Sequence, residues 1–345
     1  MKFRRKQMLE STIAGSLPKP DWLAEPEKLW APWRFQGEAL TRAQERAAAE
    51  WIKHQEDAGI DIVTNGEQFR IHFVHGFLEH INGIDWDKKT AMGIRDNRYT
   101  VQVPTVTGPV SRPQSVHLQE VRFSRAQTHR KLKFTLPGPM TICDTIADDH
   151  YGRRADMAMA FAGILNDEAR ELEAAGVDVI QFDEPAFNVF RDDVKEWGVE
   201  ALDLAREGLT CKTAVHICYG YGIDENLRWK ETLGGEWRQY EEIFPALNAS
   251  RIDQVSLECA GSRVPLSLMG LLKDKDVLVG SVAVTADKVE TPQEVAATIR
   301  SAMQYVDAER LYPCTNCGMV PIPYGIALGK IKSLAAGTSL VRDSL

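Results

Sequence analysis

The sequence predicts a closed (β/α)₈ barrel, the TIM-barrel class, and three observations carry that reading. Eight short apolar runs alternate with longer stretches of helical periodicity along the 345 residues. Strands repeatedly followed by helices imply parallel pairing, because a parallel neighbour needs a long crossover where an antiparallel one can use a tight turn. Polar, chemically capable residues recur late in the apolar runs, at the strand ends where barrels of this kind place their chemistry. An open doubly wound sheet would show the same alternation; the count of eight favours the closed form, as one catalytic domain over residues 1–345.

The elements follow in chain order. STIAGSL (11–17) is the first strand, and the amphipathic stretch 39–59 is a helix leading into DIVTNGE (61–67). After this second strand, residues 81–130 carry alternating runs, YTVQVPTVTGPV and SVHLQEVRF, expected as an inserted antiparallel ribbon. LKFTLPG (132–138), a helix over 155–176 and VDVIQFDEPA (177–186) come next, then TAVHICYG (213–220). Residues 221–249, charged and aromatic, follow the fifth strand as a helical insertion over the barrel mouth. DQVSLECA (253–260), DVLVGSVA (276–283) and RLYPCTNCG (310–318) complete the eight. The helix over 291–306 opens on Thr291 and Pro292, with Glu294 placed for a capping box.

Composition narrows the function. A chain 44% hydrophobic can bury a large core, and a formal charge of −8 gives no general electrostatic reason to bind nucleic acid or an anionic membrane. Six cysteines over this length are not a dense disulfide framework, which points to a reducing compartment. The basic N-terminus is not followed by the apolar run of a signal peptide, and no stretch approaches the ~18 apolar residues of a membrane span. A cytoplasmic enzyme acting on small molecules is expected.

The site is read from period and donor type. In VHICYG, His216 and Cys218 stand two positions apart on a strand, so their side chains share a face. Ser16, Glu67, Asp183 with Glu184, Glu258 with Cys259, and Cys317 occupy the same late positions in other strands. A strand His is more often a hydrogen-bonded core residue than a ligand, and a buried Cys is usually a small hydrophobe. CTNC (314–317) also reads as a redox pair or two packed thiols. Convergence of His216, Cys218, Glu258 and Cys317 nevertheless favours a metal, and two thiolates select Zn²⁺ over Mg²⁺ or Ca²⁺. Three anionic ligands make such an ion a weak acid toward water and suit it to a soft thiol, so alkylation of a thiol is expected rather than hydrolysis.

The segments AGSLP (14–18), NGEQFR (65–70), LPGPMT (136–141), QFDEPAF (181–187), HICYG (216–220), SLECAGSR (256–263) and AERLYPCTNCGM (308–319) run in order through nearly the whole chain. In them the sequence resembles the catalytic C-terminal domain of the cobalamin-independent methionine synthase family, in a short form. The resemblance implies a (β/α)₈ barrel, Zn²⁺ on His216, Cys218, Glu258 and Cys317, and methylation of the homocysteine thiol to give methionine. It implies that Glu67 and Asp183 hold the substrate ammonium and that Ser16, with the adjacent backbone, matches the carboxylate-binding element. Cys259 and Cys314 have no ligand role in the pattern and are assigned to packing, a shift of the ligand from Cys317 to Cys314 being the alternative.

Two departures bear on the methyl donor. Where folate-using relatives carry a pterin-stacking Trp, this chain has Thr145; where they carry a general-acid His, it has Thr285. Threonine is no comparable acid near neutral pH, so Asp144, Asp148, Asp149 or His150 would have to substitute if 5-methyltetrahydrofolate is the donor. Another small molecule, such as methylcobalamin, or a methyl-carrier protein is the expectation these departures favour. Two other classes stand beside this reading: a zinc thiol alkyltransferase with an acceptor of the coenzyme M type, and a non-catalytic zinc-binding barrel. The uroporphyrinogen decarboxylases share the scaffold but need no metal.

Overall fold

The computed structural model describes residues 8–30, 32–221, 224–284 and 288–345. In chain order the elements are α1 (Gly37–Ala58), β1 (Ile62–Val63), α2 (His75–Leu78), β2 (Asn82–Ile94), β3 (Tyr99–Ser111), α3 (Leu118–Ala126), β4 (Lys131–Pro137), α4 (Pro139–Cys143), β5 (Ala147–Asp148), α5 (Arg154–Ala174) and β6 (Val179–Asp183). There follow α6 (Val199–Ala205), β7 (Lys212–Ile217), α7 (Asp224–Glu231), α8 (Gln239–Ala249), β8 (Gln254–Glu258), β9 (Asp276–Val282), α9 (Pro292–Ala302), β10 (Leu311–Thr315) and α10 (Tyr324–Arg342). No helix among the described residues is long and apolar enough to cross a membrane.

Seven strands form one curled parallel sheet in the order β1-β4-β6-β7-β8-β9-β10. These are seven of the eight expected. The first expected strand, 11–17, is an extended segment with one parallel bridge, Thr12 to Ile62, and a bond from Thr12 N–H to Pro313 O at 3.0 Å. It therefore touches both edges of the sheet without becoming a ladder. Side chains take the bonds a ladder would use: Ala14 N–H donates to the Thr315 hydroxyl, the Gln181 amide donates to Ala14 O, and the Lys133 ammonium donates to Ile13 O.

The register levels the strand ends. Asp183 pairs with His216, and His216 with Ser256, across β6, β7 and β8. Because side chains alternate, Val179, Gln181 and Asp183 share a face, as do Ala214, His216 and Cys218. Deep along that face, Ile62, Val179, Ala214, Leu278 and Cys314 form a small apolar layer. On the other face a large core of residues such as Ile180, Phe182, Val215 and Leu257 packs under the helices. The face with the apolar layer becomes polar toward the strand ends, and that gradient creates the site. The expected capping box is present, with the Thr291 side chain accepting from Glu294 N–H and Glu294 returning the bond.

Over 81–130 the observed ribbon pairs β2 with β3. YTVQVPTVTGPV lies in β3 as expected, but SVHLQEVRF does not form a strand: most of it lies in α3. Its apparent alternation is overridden by helical spacing, since Glu120, Val121 and Ser124 are the buried residues of α3. The buried Glu120 pairs with Arg70 and His117, so a charged residue faces inward here for a specific partner. Residues 221–249 contain α7 and α8.

Candidate metal centre and its pocket

His216 is near the end of β7, and Cys218 and Cys317 follow β7 and β10 within a few residues. One ligand atom from each lies within 4.8 Å of the others, and all three side chains are buried. The Cys317 Sγ–H donates to Cys218 Sγ at 3.1 Å, and neither is in a disulfide. That hydrogen bond pulls the Cys218 thiol well below its usual range against the opposing effect of burial, and the His216 charge adds to it. The same contact pushes Cys317 up, so the two sulfurs share one proton. Burial opposes the charged form of His216, but Cys218 outweighs it and raises the imidazole.

The residues fit a divalent cation of borderline softness. His216 Nδ1 is held 2.5 Å from the Ser256 hydroxyl, while Nε2 is buried without a hydrogen-bond partner among the described residues. A ring fixed through one nitrogen with the other left free is the usual arrangement of a ligating His. Two sulfurs and an imidazole within reach of each other are the donor set of Zn²⁺.

Glu258, the fourth expected ligand, is close enough to act on Cys218 and Cys317 through charge but is held elsewhere. Its carboxylate accepts from the Lys230 ammonium at 2.9 Å and from Tyr219 N–H at 3.2 Å. Both side chains of this pair are nearly inaccessible, at 6% for Lys230 and 4% for Glu258. Burial raises Glu258 above the usual carboxylate range, with Lys230 pulling it back.

The cluster opens into a pocket that Ser16, Glu67 and Asp183 also line. Asp183 is pushed up to about 7 by burial, and the charge of Glu67 adds to the rise while Gln181 donates to it at 2.7 Å. Glu67 accepts from the Thr135 hydroxyl at 2.8 Å. Only glycine fits at position 15, where a Cβ would lie 2.8 Å from Glu67 Oε1 and 2.9 Å from Thr135 Cγ2. A Cβ on Gly318 would likewise fall 2.0 Å from the Ser16 hydroxyl. Ser16 itself is 3.2 Å from the Tyr221 hydroxyl.

The remaining expected residues are placed as follows. Cys314 sits in the apolar layer below the site, and the Cys259 thiol faces Leu257 O at 3.8 Å. Glu184 accepts from Met140 N–H, Thr141 N–H and the Thr141 hydroxyl, where it caps α4 from outside. Thr145 bonds back to Thr141 O and Ile142 O and faces a neighbouring cavity with Trp30 and Trp86. Thr285 lies outside the described residues. Of the four substitute acids, Asp144 is locked to Arg95, Asp148 caps the turn over 150–152, Asp149 pairs with Lys88, and His150 packs on Tyr151; none lines the pocket.

Sequence reasoning missed part of the pocket wall. Arg95, Arg98 and Tyr99, from the tip of the β2–β3 ribbon, line the same pocket, as do Asn226 and Tyr221. Arg95, Asp96 and Asn97 take φ of 52°, 56° and 59°, a run of left-handed residues that turns the tip. The only trace of this in the sequence is the RDN triplet between two alternating runs.

With the geometry in hand, comparison with known proteins is specific. The family model described as "Cobalamin-independent synthase, Catalytic domain" matches residues 9–336. A methionine synthase of Sulfolobus acidocaldarius is 30% identical over 340 residues, covering 98% of this chain and 94% of that one. One from Saccharolobus islandicus is 30% identical over 341 residues, covering 98% and 96%. The solved structure of a B12-independent methionine synthase from Shewanella sp. W3-18-1, in complex with selenomethionine, matches with a TM-score of 0.96 at 56% identity over 98% of each chain. A Listeria monocytogenes structure at 15% identity and a TM-score of 0.70, covering 96% of this chain and 97% of that one, shares the fold. The chain belongs to the cobalamin-independent synthase catalytic-domain family.

Proposed function

We propose that this protein is a zinc-dependent methyltransferase that methylates the thiol of homocysteine to give methionine. The observation that carries the reading is that the His216–Cys218–Cys317 cluster opens into the pocket lined by Ser16, Glu67 and Asp183. Soft donors and amino-acid-binding groups thus share one buried space. The selenomethionine bound to the Shewanella relative is a ligand of the matching kind, an α-amino acid with a soft chalcogen.

In this reading His216, Cys218 and Cys317 hold Zn²⁺, and Glu258 is the fourth protein donor once it leaves Lys230. Bound there, the ion supplies the lowered thiol pKa that makes homocysteine nucleophilic at neutral pH. Glu67 and Asp183 bind the ammonium, and Ser16 with its backbone binds the carboxylate, which aims the side-chain sulfur at the cluster. Sulfur forms a bond to the methyl carbon as the carbon's bond to its donor breaks, the electron pair leaving with the donor. The donor is a small molecule, 5-methyltetrahydrofolate or methylcobalamin, or a methyl-carrier protein. Because Asp144, Asp148, Asp149 and His150 are engaged elsewhere, a donor that needs no protonation is favoured over the folate amine.

We further infer a single (β/α)₈ catalytic domain over 1–345, with 11–17 as its first strand and 81–130 and 221–249 as insertions. Its six thiols suit the reducing cytoplasm. One observation favours a second reading, an acceptor bearing a sulfonate as coenzyme M does: Arg98 lines the pocket. The two carboxylates Glu67 and Asp183 in the same pocket weigh against it.

The test is to incubate purified, zinc-loaded protein with homocysteine and, in separate reactions, methyltetrahydrofolate or methylcobalamin, and to measure methionine. Metal analysis should give one zinc per chain for the wild type and a large loss for Cys218→Ser. Stoichiometric zinc in Cys218→Ser would overturn the metal assignment.

A further inference from the structure

Arg98 is an unusual member of the pocket wall. Among the described residues lining the pocket, Arg95 is neutralised by Asp144, whereas Arg98 makes no ion pair. Its guanidinium lies 3.4 Å from the ring centroid of Trp229, and its Nη1 donates to Asn226 Oδ1 at 2.8 Å. Asn226 in turn donates to Tyr221 O at 2.9 Å, so both anchors of Arg98 come from α7 and its approach loop. Nε is buried with no partner among the described residues, and none of them accepts from Nη2. The Nε–Nη2 edge is the one whose two parallel N–H groups match a carboxylate or phosphate. Burial lowers this guanidinium to about 10, with the repulsion of Arg95 adding to the effect and the charges of Asp144 and Cys218 opposing it, so it is still charged at neutral pH.

We propose that Arg98 is an anion-binding residue of the pocket, whose free Nε–Nη2 edge takes a carboxylate or phosphate group of one of the two substrates. The proposal rests on the methyl-transfer reading and deepens it. The anion has two sources: the α-carboxylate of the amino acid, or an acidic group of the methyl donor. Trp229 and Asn226 fix the plane of the guanidinium from α7 while the ribbon supplies its backbone, so the anion is bound where the two insertions meet. Arg98 lines the same pocket as Glu67 and Asp183, so the pocket offers groups of both signs to a zwitterion or to an amino acid and an acidic donor together.

The experiment uses the purified, zinc-loaded full chain and the variants Arg98→Gln and Arg98→Lys, with their melting curves recorded to establish folding. Calorimetric titrations with L-methionine, with L-methioninol, which lacks the carboxylate, and with inorganic phosphate at low ionic strength separate the sources. A charge-assisted bidentate contact is worth about tenfold or more in affinity. If Arg98 holds the amino acid, Arg98→Gln weakens methionine by that factor and leaves methioninol unchanged. If it holds the donor, methionine is unaffected and phosphate binding, present in the wild type, is lost. Arg98→Lys, which keeps the charge without the fork, recovers part of whichever binding was lost and keeps the test alive should the Gln variant not fold. Methionine and phosphate titrations in a folded Arg98→Gln or Arg98→Lys protein that match the wild type overturn the proposal. A wild type that binds phosphate through Arg98 but never methionine supports the anion site and sinks the methyl-transfer reading instead.

Discussion

Replacing Lys230 with Met tests how Glu258 is kept near the cluster. Lys230 and Glu258 are both buried, and the only hydrogen-bond partner of the ammonium among the described residues is that carboxylate. Lys230→Met keeps the length of the side chain and its packing near Trp237 but removes the charge, leaving Glu258 with Tyr219 N–H alone. Breaking one side of a buried ion pair costs about 3–5 kcal/mol. An unfolding entropy of about 0.7 kcal/mol per kelvin for 345 residues converts this to a melting temperature lower by about 4–7 °C. The assay is differential scanning calorimetry on metal-free protein at pH 8, repeated after adding zinc. The freed carboxylate has zinc as its remaining positive partner, so the rise in melting temperature on adding zinc should be larger for Lys230→Met than for the wild type. The double variant Lys230→Met/Glu258→Gln should regain most of the metal-free loss. A metal-free Lys230→Met protein melting within about 1 °C of the wild type would refute the pairing as the restraint on Glu258.

Other outcomes follow from the same geometry. Asp183 sits at about 7 in the folded protein against an ordinary 3.8, so the folded state binds its proton more readily than the unfolded one. Its contribution to stability therefore falls as pH rises from about 4 to 7, and Asp183→Asn should melt higher than the wild type at pH 8. The same carboxylate must be ionised to hold an ammonium, so methionine affinity, measured by calorimetry, should fall below pH 7 in the wild type and be weak and flatter with pH in Asp183→Asn. Gly15→Ala forces a Cβ against Glu67 and Thr135, and should raise KM for homocysteine about tenfold or more while leaving the zinc content unchanged; equal losses of both would point to general misfolding.

How much of this was legible in the sequence depends on which interactions are local. His216 and Cys218 were legible because strand alternation fixes their shared face, and Asp183 and Glu67 because they end apolar runs. The seven strands of the parallel sheet follow from apolar runs of about the right length. The segment 11–17 reads the same way, yet its carbonyls are claimed by Lys133 and Gln181 from other strands, a competition no local pattern reveals. SVHLQEVRF misleads because its alternation and a helical stripe overlap, and the decision is made by Arg70 and Asn65, some fifty residues away, which bind Glu120. Arg98 was invisible for a related reason: a charged residue at a ribbon tip reads as a solvated turn until the ribbon is seen to fold over the pocket.

Lys230 also changes the charge arithmetic that the sequence suggests. Two thiolates and a carboxylate would place three negative charges around a divalent ion, which argues for an electron-rich and weakly acidic centre. In the folded protein one of those charges already faces an ammonium 2.9 Å away. With Glu258 on Lys230, the two sulfurs and a neutral His216 would balance a dication held there, and such an ion would lower the pKa of an incoming thiol, whose proton passes to solvent. With Glu258 on such an ion, the shell would be anionic and would repel a further anion. In the proposed reading, whether Glu258 stays on Lys230 or joins the ion would decide whether the centre admits the thiol or excludes it. Lys230→Met holds Glu258 on the ion, and so should weaken homocysteine binding to the zinc-loaded protein even though zinc itself is held more firmly. Tighter homocysteine binding in that variant, by calorimetry at fixed zinc, would show that the carboxylate does not compete with the thiol.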